Sequence, residues 1–311
     1  SATSMICLGL IVHRQWARHE RLRYPIAEFA SSLLSGRVAG DDKPLFANRR
    51  FWIGLGIVLG IHTVNGLSAW DLSAIQIPRT FSFDQIGQRW PWIASAPRAT
   101  EMLNVTIYPT VVAFSFFLAA EISLSLGISH TLGVFVGAAL VARGIDCQEW
   151  HMAVGATAWQ RFGAYTAFGV ILLYTGRGYY GPLFRRALLP TAPAKSVAGH
   201  EVWAARIFLA AQVGLIVLNL RLGLDWPLTI LTVGMMTLMY LVVSRISPET
   251  GLFFINPRWQ PWGVFLGLLG AYALGPEALV IVGTLCAVLS IGAGQVLMPY
   301  LVNGLKTGTD L

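Results

Sequence analysis

The stretch FWIGLGIVLGIHTVNGLSAW, residues 51–70, contains no Asp, Glu, Lys or Arg and is long enough to cross a bilayer as one helix. A hydrocarbon core of roughly 30 Å requires about 20 apolar helical residues. The sequence therefore predicts an all-α, polytopic integral membrane protein, a bundle of transmembrane helices. Further apolar segments that support this prediction lie at residues 106–128, 207–220, 227–243 and 278–302.

The composition agrees with this class of protein. Charged residues make up only 12% of the chain, against about 25% in soluble domains. The longest polar stretches, residues 71–104 and 177–206, are too short to form a core of their own. We therefore predict a single transmembrane domain over residues 1–311. Because residues 2–12 resemble the end of a span, we also expect a fragment that is truncated at both ends.

The positions of Lys and Arg predict the orientation of the chain. Basic residues concentrate at 13–50 and again at 177–206, and short cytoplasmic loops of membrane proteins carry an excess of such residues. With both stretches in the cytoplasm, we predict about eight to nine transmembrane helices. The crossings that follow residues 51–70 are predicted at 106–128, 130–142 and 158–176, and in two hairpins at 207–243 and 261–302.

The remaining composition excludes several function classes. The formal charge of +7 fits basic loops beside anionic lipid, and no basic run accompanies a nucleic-acid recognition motif, so no nucleic-acid partner is expected. Cys147, Glu149 and His151 cluster without a second ligand group, so no metal site is predicted. No phosphate-binding loop, hydrolase or dinucleotide-binding motif is present, so no cofactor and no catalytic residue are assigned. Cys7 and Cys286 are expected to be packing residues.

Glu121 is the strongest single candidate for function. It lies near the middle of the predicted span 106–128, where an ionised carboxylate costs on the order of 3 kcal/mol unless it is paired, protonated or hydrated. One interpretation is a proton site or a counter-charge to substrate. The other is a neutral Glu that is hydrogen-bonded to Ser123, Ser125 or a neighbouring helix.

His62 and Asn65 form a second candidate site. They are three residues apart in the segment 51–70 and so share one helical face. This face could bind solute together with Glu121, or it could make an ordinary hydrogen bond between helices.

A third candidate follows the first basic run. Tyr24 and Pro25 precede a short apolar segment that contains Glu28, and Pro25 biases Tyr24 away from helix. Residues 24–34 are too few to cross the bilayer, which favours a re-entrant half-helix opening near Pro25, of the kind that lines transporter sites. A surface amphipathic helix is the alternative.

Arg245 and Glu249 are four residues apart at the end of the span 227–243. We interpret them as an ion pair that holds the following loop.

Several short motifs resemble a known family. They are HERLRYPIAE at 19–28, NRRFWIG at 48–54, VNGL at 64–67, GRGYY at 176–180, Arg245 with ETG at 249–251, LMPY at 297–300 and LKTG at 305–308, which contains Lys306. In this order they resemble uncharacterised bacterial multi-pass proteins that look related to the oligopeptide transporter superfamily. The resemblance implies a transporter-like fold and proton-coupled movement of small peptides or metal chelates.

Three functions follow as hypotheses. The first is a secondary, proton-coupled transporter whose partners are membrane lipid and a small-molecule solute. The second is a membrane-embedded enzyme acting on lipid-linked or envelope substrates, for which His13, His19 and Glu20 are the clustered titratable groups. The third is a non-catalytic membrane scaffold subunit.

Overall fold

The computed structural model describes residues 1–35, 44–72, 75–147, 154–189, 199–252, 255–290 and 297–310, and these are predominantly helical. Five of the described helices are long and apolar enough to span a membrane, which indicates an integral membrane protein. Four of them are α3 (Arg49–Ala69), α8 (Ala120–Val141), α11 (Gly199–Arg221) and α12 (Trp226–Thr250). The fifth, α13 (Pro261–Ser290), meets the criterion by its total length and composition, although its backbone is interrupted at two glycines. The total of about eight to nine crossings stays a prediction.

The chain divides into two compact units. The first unit contains Ser1–Ile26 and Ile145–Thr309, and the second contains Ala27–Gly144 with the last two residues. The prediction of one transmembrane domain over 1–311 remains a prediction.

The second unit contains two long helices joined by short elements. α2 (Pro25–Ser35) enters it, and α3 and α8 are its long helices. Two short strands pair antiparallel, with Phe81 opposite Val105. The elements between α3 and α7 are β1 (Thr80–Ser82), α4 (Asp84–Arg89), α5 (Pro91–Ala94), α6 (Ala99–Leu103) and β2 (Asn104–Thr106), and α7 is Pro109–Ser115. A small buried cluster on α5, α6 and α8 joins them.

The first unit is a helical bundle. α1 (Ala2–Arg14) continues into a π-helical turn, Gln15–His19, and packs along α11. The pairing is antiparallel, because Arg14 contacts Glu201 near the start of α11 whereas Ser4 contacts Gln212 further along it. The other elements are α9 (Ala156–Thr175), α10 (Arg177–Leu188), α12, α13 and α14 (Leu297–Asp310).

The helix α13 is bent back on itself. Gly270 and Gly275 have φ values of 77° and 73° with extended ψ, a conformation that interrupts the helix and that is essentially restricted to glycine. A Cβ atom on Gly283 would lie 3.2 Å from the Trp262 indole nitrogen, whereas 21 residues of straight helix would separate these positions by about 31 Å. α13 is therefore a hairpin of two short helices with its tip at residues 270–275.

Two sequence predictions of helix position need correction. The predicted spans 106–128 and 130–142 are wrong, because a turn after α7 separates it from α8, and α8 runs without a break through Ile128. The predicted span 278–302 includes residues 291–296, which lie outside the described ranges, and its described parts belong to the second helix of α13 and to α14. The segments predicted at 51–70 and 158–176 match α3 and α9 closely, and α2 begins at Pro25 as predicted.

Candidate functional site

A buried arginine near the C-terminal end of α12 organises a group of charges. The side chain of Arg245 is only 8% exposed and forms ion pairs with Glu20 and Glu249. Its Nε atom donates to Glu249 Oε1 at 2.9 Å. Glu20 also accepts a hydrogen bond from Gln15 Nε2 at 3.0 Å. We call Trp16, Glu20, Tyr24, Tyr180, Arg245 and Glu249 the Arg245 cluster.

Aromatic side chains enclose this arginine. Its guanidinium carbon lies 5.3 Å from the centre of the Trp16 ring, within the range of a cation–π interaction. The Trp16 and Tyr180 side chains are hydrogen-bonded to each other. Both aromatic residues are buried. The buried guanidinium of Arg245 therefore lies where the π-helical turn, α10 and α12 meet.

Tyr24 closes the cluster and caps α12. Its backbone adopts a φ of 52°, and its N–H donates to the carbonyl of Pro248 at 3.2 Å. The last carbonyls of a helix lack partners within the helix, so this bond satisfies one of them. The Tyr24 hydroxyl is buried and has no hydrogen-bond partner among the described residues. Burial, chiefly, and the charge of Glu20 raise the pKa of Tyr24, while Arg245 acts in the opposite direction.

A second buried ion pair lies nearby. Arg14 NH1 donates to both carboxylate oxygens of Glu201 at 3.1 Å. Tyr179, whose ring centre lies 5.5 Å from that of Tyr180, connects this pair to the Arg245 cluster. Burial, and then the charge of Glu201, raise the pKa of Tyr179.

The charges of the Arg245 cluster do not balance. Glu20 and Glu249 share one guanidinium, so the three ionised side chains carry one net negative charge. Partly buried charge of this kind is costly unless it is compensated.

Non-helical backbone enters the bundle between α12 and α13. Residues 255–260 have no regular secondary structure, and Trp259 and Gln260 are both 0% exposed. The Trp259 ring lies 5.1 Å from that of Phe162 and 5.6 Å from that of Tyr165, in the middle of α9. The first helix of the α13 hairpin thus starts inside the bundle.

A cavity of about 490 Å³ lies within the first unit. Its walls are mostly apolar side chains of α1, α9, α10, α11 and α12. Tyr180 belongs to both this cavity and the Arg245 cluster, and Gln212 and Thr237 provide polar groups on its wall. The cavity therefore borders the buried charges.

The structure brings together three of the residues predicted from sequence: Tyr24, Arg245 and Glu249. The interpretation of Arg245 and Glu249 as an ion pair agrees with their geometry. Pro25 starts α2, and Glu28 is exposed in its first turn. Lys306 is half-buried on α14. Roles in coupling or substrate binding for all of these residues stay predictions.

The candidates in the second unit have different surroundings from those expected. Glu121 lies exposed in the first turn of α8, not at the middle of a span, because α8 starts only at Ala120. His62 is exposed on α3. The Asn65 amide donates to the Ile77 carbonyl at 3.0 Å and accepts from the Ile77 N–H at 2.8 Å, which holds the following loop.

Sequence reasoning missed Trp16 and Tyr180, and it weighed Glu20 only for an enzyme. The GRGYY motif contains Tyr180 and the basic HERLRYP motif contains Glu20. Neither motif, however, indicates which distant residue its side chains contact. Within the described part of the chain, no group of three or more His, Cys, Asp and Glu side chains could hold a metal ion. The prediction about Cys147, Glu149 and His151 includes residues outside the described ranges.

The chain belongs to a family of unknown function, DUF6785, whose model matches residues 1–311. No curated protein and no solved structure matches it significantly.

Proposed function

We propose that this member of DUF6785 is a secondary transporter that moves a small solute through its first unit, coupled to protons. The observation that carries the proposal is the non-helical segment 255–260, in which Pro257, Trp259 and Gln260 are buried within a helical bundle. Irregular backbone at membrane depth is tolerated only where protein covers it or where it lines a cavity. Interrupted helices of this kind form the substrate sites of many secondary transporters.

The hairpin of α13 supports the same proposal. Its two helices, separated at Gly270 and Gly275, are each shorter than a full span. The tip between them is exposed, with Tyr272 and Leu268 at the surface, whereas the first helix starts next to the buried residue Gln260. A short helix that starts inside a bundle places backbone groups and its dipole where solutes and ions bind. A bundle built only for mechanical support would have little use for such an arrangement.

The cavity of about 490 Å³ provides space for the solute. Small-molecule sites are typically about 300–1,000 Å³, with apolar walls and a few polar groups. The apolar walls favour an organic solute over a bare ion. Small peptides and metal chelates are the solute classes we propose, on the resemblance to oligopeptide transporters.

The Arg245 cluster is our candidate for proton coupling. Protonation of Glu20 or Glu249 would leave a balanced ion pair with Arg245, and Tyr180 connects that change to the cavity wall. The groups facing these carboxylates are Gln15, Trp16, Tyr24 and Tyr180, with Arg14 and Glu201 in the neighbouring pair. Glu121, His62 and Asn65, in the second unit, are the alternative candidates for coupling or substrate binding.

The proposal places the protein in the bacterial inner membrane, with about eight to nine crossings and the basic loops in the cytoplasm.

Uptake by proteoliposomes tests the function. The full-length protein would be reconstituted, and uptake of labelled dipeptides, amino acids and metal chelates measured with and without an imposed pH gradient. We expect saturable uptake of one class that collapses when a protonophore removes the gradient. Absence of flux for every class from correctly inserted protein would contradict the proposal and favour the enzyme or scaffold function.

A further inference from the structure

The two-stranded ribbon of the second unit has an exposed apolar face. β1 pairs with β2 so that Phe81 lies opposite Val105, and the ladder continues to Ile107, whose N–H donates to the Arg79 carbonyl at 2.8 Å. Because successive side chains of a strand point to opposite faces, Phe81, Val105 and Ile107 share one face, which we call the Phe81 face. These three side chains are 44–47% exposed, so the described part of the chain leaves this face largely uncovered.

The opposite face of the ribbon carries hydroxyl groups. Its side chains are Thr80, Ser82 and Thr106, and the hydroxyls of the two threonines are hydrogen-bonded to each other at 2.9 Å. Antiparallel strands with apolar residues on one face and polar residues on the other lie between water and an apolar medium. The apolar medium that the Phe81 face contacts is therefore outside the described part of the chain.

A contact with α3 shows where the ribbon lies relative to the membrane. Asn65 is four residues before the end of α3, and its amide makes two hydrogen bonds with the backbone of Ile77, three residues before β1. A helix of 21 residues is about 31 Å long, which is close to the thickness of the hydrocarbon core, about 30 Å. The ribbon therefore starts at the level of the last turn of α3, near the surface of the bilayer.

A contact with α8 places the rest of this segment at a similar level. The short helices α5 and α6, which lie between the two strands in sequence, bury Ile93 and Ala99 against Val134 and Ala138 of α8. These two residues belong to the last two turns of α8, which ends at Val141. Both long helices of the second unit thus hold the segment near their C-terminal ends.

The backbone of the ribbon excludes a deeper position. Among the described residues the sheet has only two strands, so each strand has an outer edge that no other strand pairs. Open sheet edges do not occur in the hydrocarbon region, because no water is present there to bind the free backbone groups. Headgroups and water must therefore reach the edges of the ribbon while its Phe81 face contacts an apolar medium.

We propose that the ribbon lies in the bilayer interface, with the Phe81 face against the acyl chains and the hydroxyl face toward water. Its partner is the lipid of the bilayer that α3 and α8 cross. Trp90, Trp92 and Tyr108, which are exposed in the same segment, agree with this position, since Trp and Tyr are enriched at membrane–water interfaces. The interaction does not depend on the proposed transport function.

Spin labels on the two faces test this orientation. Val105→Cys and Ser82→Cys place a label on the Phe81 face and on the hydroxyl face, and both positions are exposed. The labels would be attached to full-length protein in which the buried native cysteines Cys7, Cys147 and Cys286 are replaced by alanine. Collision rates would be measured in proteoliposomes with oxygen, which concentrates in lipid, and with a nickel chelate, which stays in water.

The ratio of the two collision rates distinguishes lipid from water. We expect the ratio of oxygen to nickel collisions to be several-fold higher at residue 105 than at residue 82. Equal ratios with free access of nickel to both labels would show a hydrated ribbon and overturn the proposal. Low collision rates with both reagents at residue 105 would also overturn it, because a protein surface, such as a second copy of the chain, would then cover the Phe81 face.

Photolabelling of the wild-type protein provides the test if the cysteine-free protein does not fold. The protein would be reconstituted with phosphatidylcholine that carries a diazirine in its acyl chain near the glycerol. We expect adducts on Phe81, Val105 or Ile107. Ile57, which is 59% exposed near the middle of α3, is the positive control, labelled by the same lipid with the diazirine at the end of its chain. Labelling of Ile57 without any adduct on the ribbon from either lipid would contradict the proposal.

Discussion

Arg245 shows how much of a site can be predicted at the scale of single residues. Its pairing with Glu249 follows from their spacing of four on a helix, and the geometry agrees. The contacts with Glu20 and Trp16 could not be predicted, because they depend on how the π-helical turn packs against α12. Local periodicity carries no information about such distant pairs.

Replacement of Arg245 should destabilise the fold. Arg245→Gln leaves Glu20 and Glu249, which are 17% and 32% exposed, without their guanidinium partner. We expect the free energy of unfolding to fall by about 3 kcal/mol, as measured by denaturation in mixed micelles. The double variant Arg245→Gln with Glu20→Gln should recover part of this loss. If the losses of free energy in the two single variants, Arg245→Gln and Glu20→Gln, simply add in the double variant, the two residues do not form one cluster.

The Tyr24 hydroxyl should contribute little at neutral pH. Because it has no partner among the described residues, Tyr24→Phe should change the free energy of unfolding by less than about 1 kcal/mol at pH 7. Tyr24→Leu, by contrast, removes ring volume from a fully buried site, so it should lower the free energy of unfolding clearly more than Tyr24→Phe does. A large loss in Tyr24→Phe would show that the hydroxyl has a bound partner.

Above pH 10 the Tyr24→Phe variant should become more stable than the wild-type protein. The pKa of Tyr24 is raised from its ordinary value of 10.0, so the unfolded chain loses this proton while the folded protein keeps it. The folded state then binds more protons, and its stability falls as pH rises. The advantage of Tyr24→Phe should grow by up to about 1.4 kcal/mol per pH unit. A difference that is independent of pH would contradict the raised pKa.

At the scale of elements, hydrophobic length predicts helices well but places their ends poorly. The segment 51–70 matches α3 closely, since charged or polar residues bound it on both sides. The segment 106–128 was wrong because the turn between α7 and α8 consists of apolar residues, Phe116 to Ala119, which give no signal in hydropathy. Glu121 was therefore expected at mid-span although it starts a helix.

The α13 hairpin depends on glycine at its tip. A Cβ on Gly270 would meet no atom within 4 Å, so Gly270→Ala tests backbone strain alone and should cost about 1–3 kcal/mol. A Cβ on Gly234 would also meet no atom within 4 Å, but this glycine lies inside α12. Gly234→Ala should therefore leave the free energy of unfolding unchanged or raise it by up to about 1 kcal/mol. Similar results for the two variants, in parallel unfolding measurements, would contradict a hairpin at Gly270.

At the scale of the whole molecule, composition was enough to predict a helical membrane protein, and the five long apolar helices agree. The division into two units was not predicted, because it depends on contacts between the N-terminal residues and the chain after Ile145. The broken segment 255–260 was also missed, since Trp259 and Gln260 resemble an ordinary interfacial loop in sequence. Transport is proposed from that broken segment and from the cavity among α1, α9, α10, α11 and α12.

The most direct test of proton coupling at the Arg245 cluster compares two carboxylates in one uptake assay. Proteoliposomes would contain equal amounts of the wild-type protein, Glu20→Gln or Glu121→Gln, and each preparation would be given the same pH gradient. We expect gradient-driven uptake by the wild type, loss of its dependence on the gradient in Glu20→Gln, and retention of that dependence in Glu121→Gln. Loss of gradient dependence in Glu121→Gln with normal coupling in Glu20→Gln would contradict coupling at the Arg245 cluster and place it in the second unit.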